Sequence, residues 1–183
     1  MVRSVGLVRR AVAATLMIAG AASVSLAQAV TSPEAKLKTL GIELPPAQKA
    51  VANYVPAVRT GNLVYLAGQG PLVDGKPTIT GKVGAEVSEE DAYKAARAAI
   101  LNSLAALRAE IGSLDNVKRI VKLTGWVSSA PGFNRQPFVV NGASDLLVQI
   151  FGDAGRHART AVSANELPFN IPVEVEIIVE VKP

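Results

Sequence analysis

Glu174, Glu176 and Glu180 sit at even spacing in the segment Val173–Val181, with Val173, Val175, Ile177, Val179 and Val181 in the alternate places. Successive side chains of a strand point to opposite faces, so the valines and Ile177 make one apolar face and the glutamates line the other. Such a carboxylate row meets water, or it lines a site where partial burial brings a carboxyl toward working pH for proton transfer. Fifteen residues before Glu174 stands Arg159. Its side-chain type suits the gripping of a small carboxylate, because a planar guanidinium pairs in bidentate fashion and stays charged. Taken alone, it reads as an ordinary strand-end arginine beside a surface acid.

Other chemistries lack their residues. With no cysteine there is no disulfide, thiolate metal site or cysteine nucleophile. His157 is the only histidine, which excludes a histidine-rich zinc or iron centre, and it is expected to be an exposed turn residue. No G-x-S-x-G occurs and the carboxylates are scattered, so neither an acyl-hydrolase nor a glycosidase motif is present. No metal and no cofactor is expected.

The elements that must position these residues follow from periodicity. Apolar residues alternate from Val55 to Ala67 around Thr60-Gly61-Asn62, predicting a hairpin. Residues 68–84 are a Gly- and Pro-rich loop with room for a short third strand. Ser88 precedes a run free of Gly and Pro as far as Ile111, in which Ala92, Ala96, Ile100, Leu104, Leu107 and Ile111 form an apolar stripe. That is a helix lying on a sheet, ended by Gly112. Val117 to Ser128 predicts a strand containing Trp126; a second helix runs from Pro137 to about Phe151, with Gly152 as its stop. Strands are expected at Thr160 to Glu166 and Val173 to Val181. The order is ββαβαββ, an α+β domain over residues 54–183. Residues 30–53, with Pro33, Pro45 and Pro46, read as an extension of low order carrying a short helix around Ser32 to Leu40.

Residues 1–29 have the three-part form of a secretory signal peptide: Arg3, Arg9 and Arg10, then an apolar run from Ala11 to Leu26, then Ala27-Gln28-Ala29. The run is short for a membrane span. Cleavage near Ala29 is expected, giving an exported, periplasmic or secreted chain with no stable membrane association; an uncleaved anchor and an organellar transit peptide are the competing readings. The full chain has a charge of +4, but the leader holds three of its 19 basic residues and none of its 15 acidic ones. The remainder is nearly neutral, without the broad basic surface that non-specific nucleic-acid binding needs, so no nucleic-acid partner is expected.

The stretch Ala158-Arg159-Thr160-Ala161-Val162, followed by Leu167-Pro168 and then Val173-Glu174-Val175-Glu176, resembles the C-terminal signature of the RidA/YjgF family. Asn53-Tyr54-Val55 is similar to that family's aromatic near the first strand, Leu66-Ala67-Gly68-Gln69 to its S-G-Q segment, and Asn141 to its helix asparagine. The stretch Ser129 to Asn141 resembles the chorismate-mutase-like branch, a name that describes fold and not mutase activity. The resemblance covers about residues 45–182.

The resemblance implies a chorismate-mutase-like fold, with helices on one face of a mixed sheet, and a homotrimer with ligand clefts between subunits. It implies hydrolytic deamination of reactive enamines and imines of 2-oxo acids. Glu174 would be the catalytic residue, and Arg159, Tyr54, Asn141, Gln69 and Gly68 would bind a small 2-imino or 2-oxo acid. A hairpin centred near residues 169 and 170 would set Glu174 opposite Asn165 and carry Arg159 toward Glu180, so a shared pocket would draw the two from different subunits. Ala67 replaces the family's serine hydroxyl, and losing one positioned donor costs about 10²-fold or more in rate. A non-catalytic trimer binding a small carboxylate is therefore the alternative. Ribonuclease action, a label often attached to the family, has neither the charge nor a second histidine to support it.

Overall fold

Ser88 opens the longest helix, α2 (Glu89–Ile111), by accepting a hydrogen bond from the Asp91 amide at 3.1 Å. Three acids occupy its first turn, where the positive end of the helix dipole favours them. Gly112, at φ +80°, donates to the Arg108 carbonyl and ends it. The expected stripe is buried from Ala92 to Leu107, whereas Ile111 is half-buried at the end of the helix. The computed structural model describes Met1, residues 31–50 and residues 52–183. The expected leader lies outside the described residues.

The chain enters a five-stranded sheet through β1 (Ala57–Thr60) and β2 (Leu63–Leu66), a hairpin whose two-residue loop places Gly61 at φ +57°. A small second hairpin follows, β3 (Leu72–Val73) and β4 (Lys76–Pro77). After α2 come β5 (Val117–Ser128), helix α3 (Gln136–Phe151), β6 (Ala158–Ala164) and β7 (Val173–Val181). The strand order is β1-β2-β7-β5-β6; β5 and β6 are parallel and every other neighbouring pair is antiparallel. Inward-facing Val173, Val175, Ile177, Val179 and Val181 are all buried beneath the helices.

The sheet corrects one expectation. β6 and β7 do not form a hairpin: β5 lies between them. The unit β5-α3-β6 returns its second strand parallel to its first, which takes a crossover helix rather than a turn. The connection 167–172 then passes the end of β5, where the Ser128 amide donates to the Pro172 carbonyl at 2.9 Å. Burial explains the order. β7 has a complete apolar face and suits the centre, whereas no residue of β6 is fully buried and it forms an edge. β6 also begins at Ala158, so Arg159 lies within the strand.

The extension is tied down at both ends, by helix α1 (Pro33–Thr39) and by Gln48, whose Nε2 donates to the Leu72 carbonyl at 3.1 Å. The helix is capped by Ser32 and buries Leu37. Glu34 accepts from the Leu114 amide and donates its own amide to Asp115, both at 3.0 Å. Among the described residues, no helix is long and apolar enough to cross a membrane.

Candidate functional site

Four of the six expected site residues share one cavity. Tyr54, Gly68, Gln69 and Glu174 line a space of about 280 Å³ with Pro56, Leu72, Phe169 and Ile171 among its walls. The loop from Gly68 is drawn onto β7 where Gln69 and Val175 exchange backbone hydrogen bonds of 2.8 and 2.9 Å. Asn102, buried in α2, steadies the same loop by donating to the Gly70 and Leu72 carbonyls at 2.9 and 3.0 Å. Sequence reading missed Asn102; a polar residue within an otherwise apolar helix face was the available signal.

Glu174 projects from the face of β7 opposite the core and is half-buried. Its carboxyl holds its proton more tightly than an ordinary glutamate, first because burial disfavours the charge and second because Glu176 lies nearby. Gly68 makes room for it: a Cβ at residue 68 would collide with Glu174 Oε1. The glycine thus serves the site by the space it leaves. Tyr54 is 50% exposed at the cavity. Phe169, 55% exposed, lines it from a left-handed backbone conformation at φ +58°, followed by Asn170 at +57°. The pair is held by the Gly81 amide, which donates to the Asn170 carbonyl at 2.8 Å.

Arg159 and Asn141 meet elsewhere. Arg159 Nη1 donates to Asn141 Oδ1 at 2.7 Å and to Ser144 Oγ at 3.1 Å. Asn141 and Ser144, three apart on α3, present their side chains on one helix face. Between them, Gly142 packs where a Cβ would strike the Tyr93 carbonyl, so α3 lies close on α2 and its polar pair is fixed relative to the sheet. His157 is not the exposed turn residue expected. It is half-buried, with Nδ1 2.7 Å from the Gly155 carbonyl and Nε2 3.1 Å from Ser144 Oγ. Ser144 was not legible as a site residue, because its partners lie 13 and 15 residues along the chain on another element.

Within one chain these two groups are apart. Arg159 pairs with Leu123 and, beyond it, Ile177; Glu174 pairs with Trp126 and, beyond it, Val162. Leu123 and Ile177 face the core and Trp126 does not, so Arg159 and Glu174 leave opposite faces of the sheet. They are two strands and three residues apart, about 10 Å in each direction.

Helices α1, α2 and α3, packed with this mixed sheet, make an α+β domain of the chorismate-mutase-like YjgF fold. Residues 34–181 match the family described as "YjgF/chorismate mutase-like, putative endoribonuclease", and the chain belongs to that family. Protein TCP17 of Trypanosoma cruzi is 44% identical over 147 residues, 80% of this chain and 92% of its own length. The crystal structure of Atu1372 from Agrobacterium tumefaciens superposes with a TM-score of 0.76 at 45% identity, covering 82% of this chain and 92% of that one. A protein of Shewanella oneidensis MR-1 that carries the same endoribonuclease description matches with a TM-score of 0.79 at 35% identity, covering 82% and 99%.

Proposed function

We propose that the protein is a homotrimeric deaminase that hydrolyses reactive enamine and imine intermediates of 2-oxo acids without metal or cofactor. The observation that carries this reading is the half-buried Glu174, its proton affinity raised, in a cavity with Tyr54 and Gln69. Family membership supports it. In the proposed reaction the substrate carboxylate lies in the fork of Arg159 from a neighbouring protomer, since one chain sets Arg159 and Glu174 on opposite faces. An enamine first moves a proton to carbon and becomes the imine. Glu174 takes a proton from water as the water oxygen adds to the C=N carbon, and the imine nitrogen is protonated. Glu174 then hands its proton to the carbinolamine nitrogen, and the C–N bond breaks as the hydroxyl gives its own proton to the Glu174 carboxylate and becomes the carbonyl, releasing ammonia and the 2-oxo acid. A carboxyl whose hold on its proton is strengthened by burial suits both halves of this cycle.

A second reading has its own observation. Ala67 stands where the resemblance implies a serine hydroxyl, and the same cleft then binds a small carboxylate without turning it over. A cleaved leader would put either activity outside the cytoplasm; an intact mass beginning at Val30, measured on protein from its native host, checks that.

The test is a coupled assay in which 2-aminoacrylate or 2-iminobutyrate is generated in place and ammonia is followed. Wild type should accelerate release, and Arg159→Ala and Glu174→Gln should not. Equal rates for wild type, both variants and buffer dismiss the deaminase. Light scattering checks for three subunits.

A further inference from the structure

His157 and Ser144 end a directed chain of hydrogen bonds that begins at Arg159. A backbone carbonyl only accepts, so the 2.7 Å contact with Gly155 puts the ring proton on His157 Nδ1. The carbonyl is itself fixed, because Gly155 is buried where a Cβ would strike the Leu147 carbonyl of α3. Burial lowers the proton affinity of the ring below its ordinary value; the Gly155 bond opposes this and the Arg159 charge adds to it. The neutral ring then offers Nε2 as an acceptor, and the Ser144 hydroxyl, 3.1 Å away, donates to it. With its proton committed, Ser144 Oγ turns a lone pair to Arg159 Nη1.

This arrangement leaves part of the guanidinium free. A guanidinium has five N–H donors. Both on Nη1 are taken, one by Asn141 and one by Ser144. The remaining three, on Nη2 and Nε, form the edge that can take a carboxylate side-on in two parallel bonds.

We propose that Ser144 and His157 are positioning residues for Arg159: the carbonyl–imidazole–hydroxyl chain fixes the guanidinium so that its Nε/Nη2 edge faces the carboxylate of the ligand. The inference rests on the reading of Arg159 as the carboxylate grip. Each bond in such a chain polarises the next, so removing any link loosens the arginine.

The test is calorimetric titration with 2-oxobutyrate, each variant first shown by thermal melt to be folded. Arg159→Ala should abolish binding. Ser144→Ala and His157→Leu should each weaken it about tenfold, the effect of losing one hydrogen bond to a charged group. The double variant should bind no worse than Ser144→Ala, because both changes break one chain. His157→Gln, which keeps an acceptor for the serine, should recover most of the affinity. If the wild type does not bind, or Arg159→Ala binds as well as wild type, the functional reading falls and takes this inference with it. If Arg159→Ala alone weakens binding, only this inference falls. Nitrogen NMR on the unaltered protein decides independently of any variant, since His157 is the only histidine in the chain. The neutral Nδ1–H form is expected at neutral pH; an Nε2–H ring or a protonated one overturns the proposal.

Discussion

Arg159 and Glu174 leave opposite faces of one sheet, with β5 between the strands that carry them. In the proposed trimer, a single ligand touching both lies between two protomers. Mixing Arg159→Ala and Glu174→Gln chains should therefore rebuild working sites from two dead parents. With equal amounts assorting at random, about one quarter of the sites would pair an intact arginine with an intact glutamate. Ammonia release by the co-expressed, co-purified mixture checks this, and activity no higher than that of either parent would place both residues' work within one chain.

Glu174→Gln should lower deamination by about 10² to 10⁴-fold, the usual contribution of a positioned general base. The same change should raise stability at neutral pH. A carboxyl whose proton affinity is raised in the folded state contributes stability that is present below its unfolded value and lost as pH rises through the folded one. At neutral pH the folded protein therefore bears the cost of a half-buried charge, which the amide removes. Melting curves should show the variant ahead at pH 7, with the gap closing as the pH falls below the ordinary glutamate value of 4.5.

Gly68→Ala adds one methyl where the Glu174 carboxylate now lies. The end of a flexible side chain can swing aside, so the fold should survive at a cost of about 1–3 kcal/mol. The rate should fall by about 10²-fold, the effect of a catalytic group moved by roughly 1 Å. A reduced kcat with an unchanged circular dichroism spectrum would support this; full activity would show that Glu174 has latitude in its position.

Phe169 occupies a left-handed conformation that costs a non-glycine residue about 1–2 kcal/mol. Because it is more than half exposed, Phe169→Gly should relieve that strain for little lost burial and leave stability within about 1 kcal/mol of wild type. Its ring lines the Glu174 cavity, so affinity for 2-oxo acids with apolar side chains should drop more than affinity for pyruvate. Parallel titrations with 2-oxobutyrate and pyruvate compare the two.

Local patterning carried much of the architecture. The stripe from Ala92 to Leu107, the cap at Ser88, the stop at Gly152 and the alternation of β7 each follow from residues within a turn or two of one another, and each stands where expected. A motif spread over residues 158–176 pointed to the family, and to Arg159 and Glu174 together.

What the chain could not disclose locally is which strands become neighbours. Alternation says that Glu174 opposes Val175 within β7, but the relation of Arg159 to either face depends on β6 pairing with β5 and on the register Arg159↔Leu123. That pairing is decided by which strand has a complete apolar face to bury at the centre, a property of the whole packed sheet. For the same reason His157 read as a surface turn: its partner Ser144 comes near only when α3 packs across β5 and β6. Sequence by itself determined the elements and the residue types that could act. Tertiary packing divided those residues between two faces, because hydrogen-bond register and helix docking are long-range choices that no local window contains.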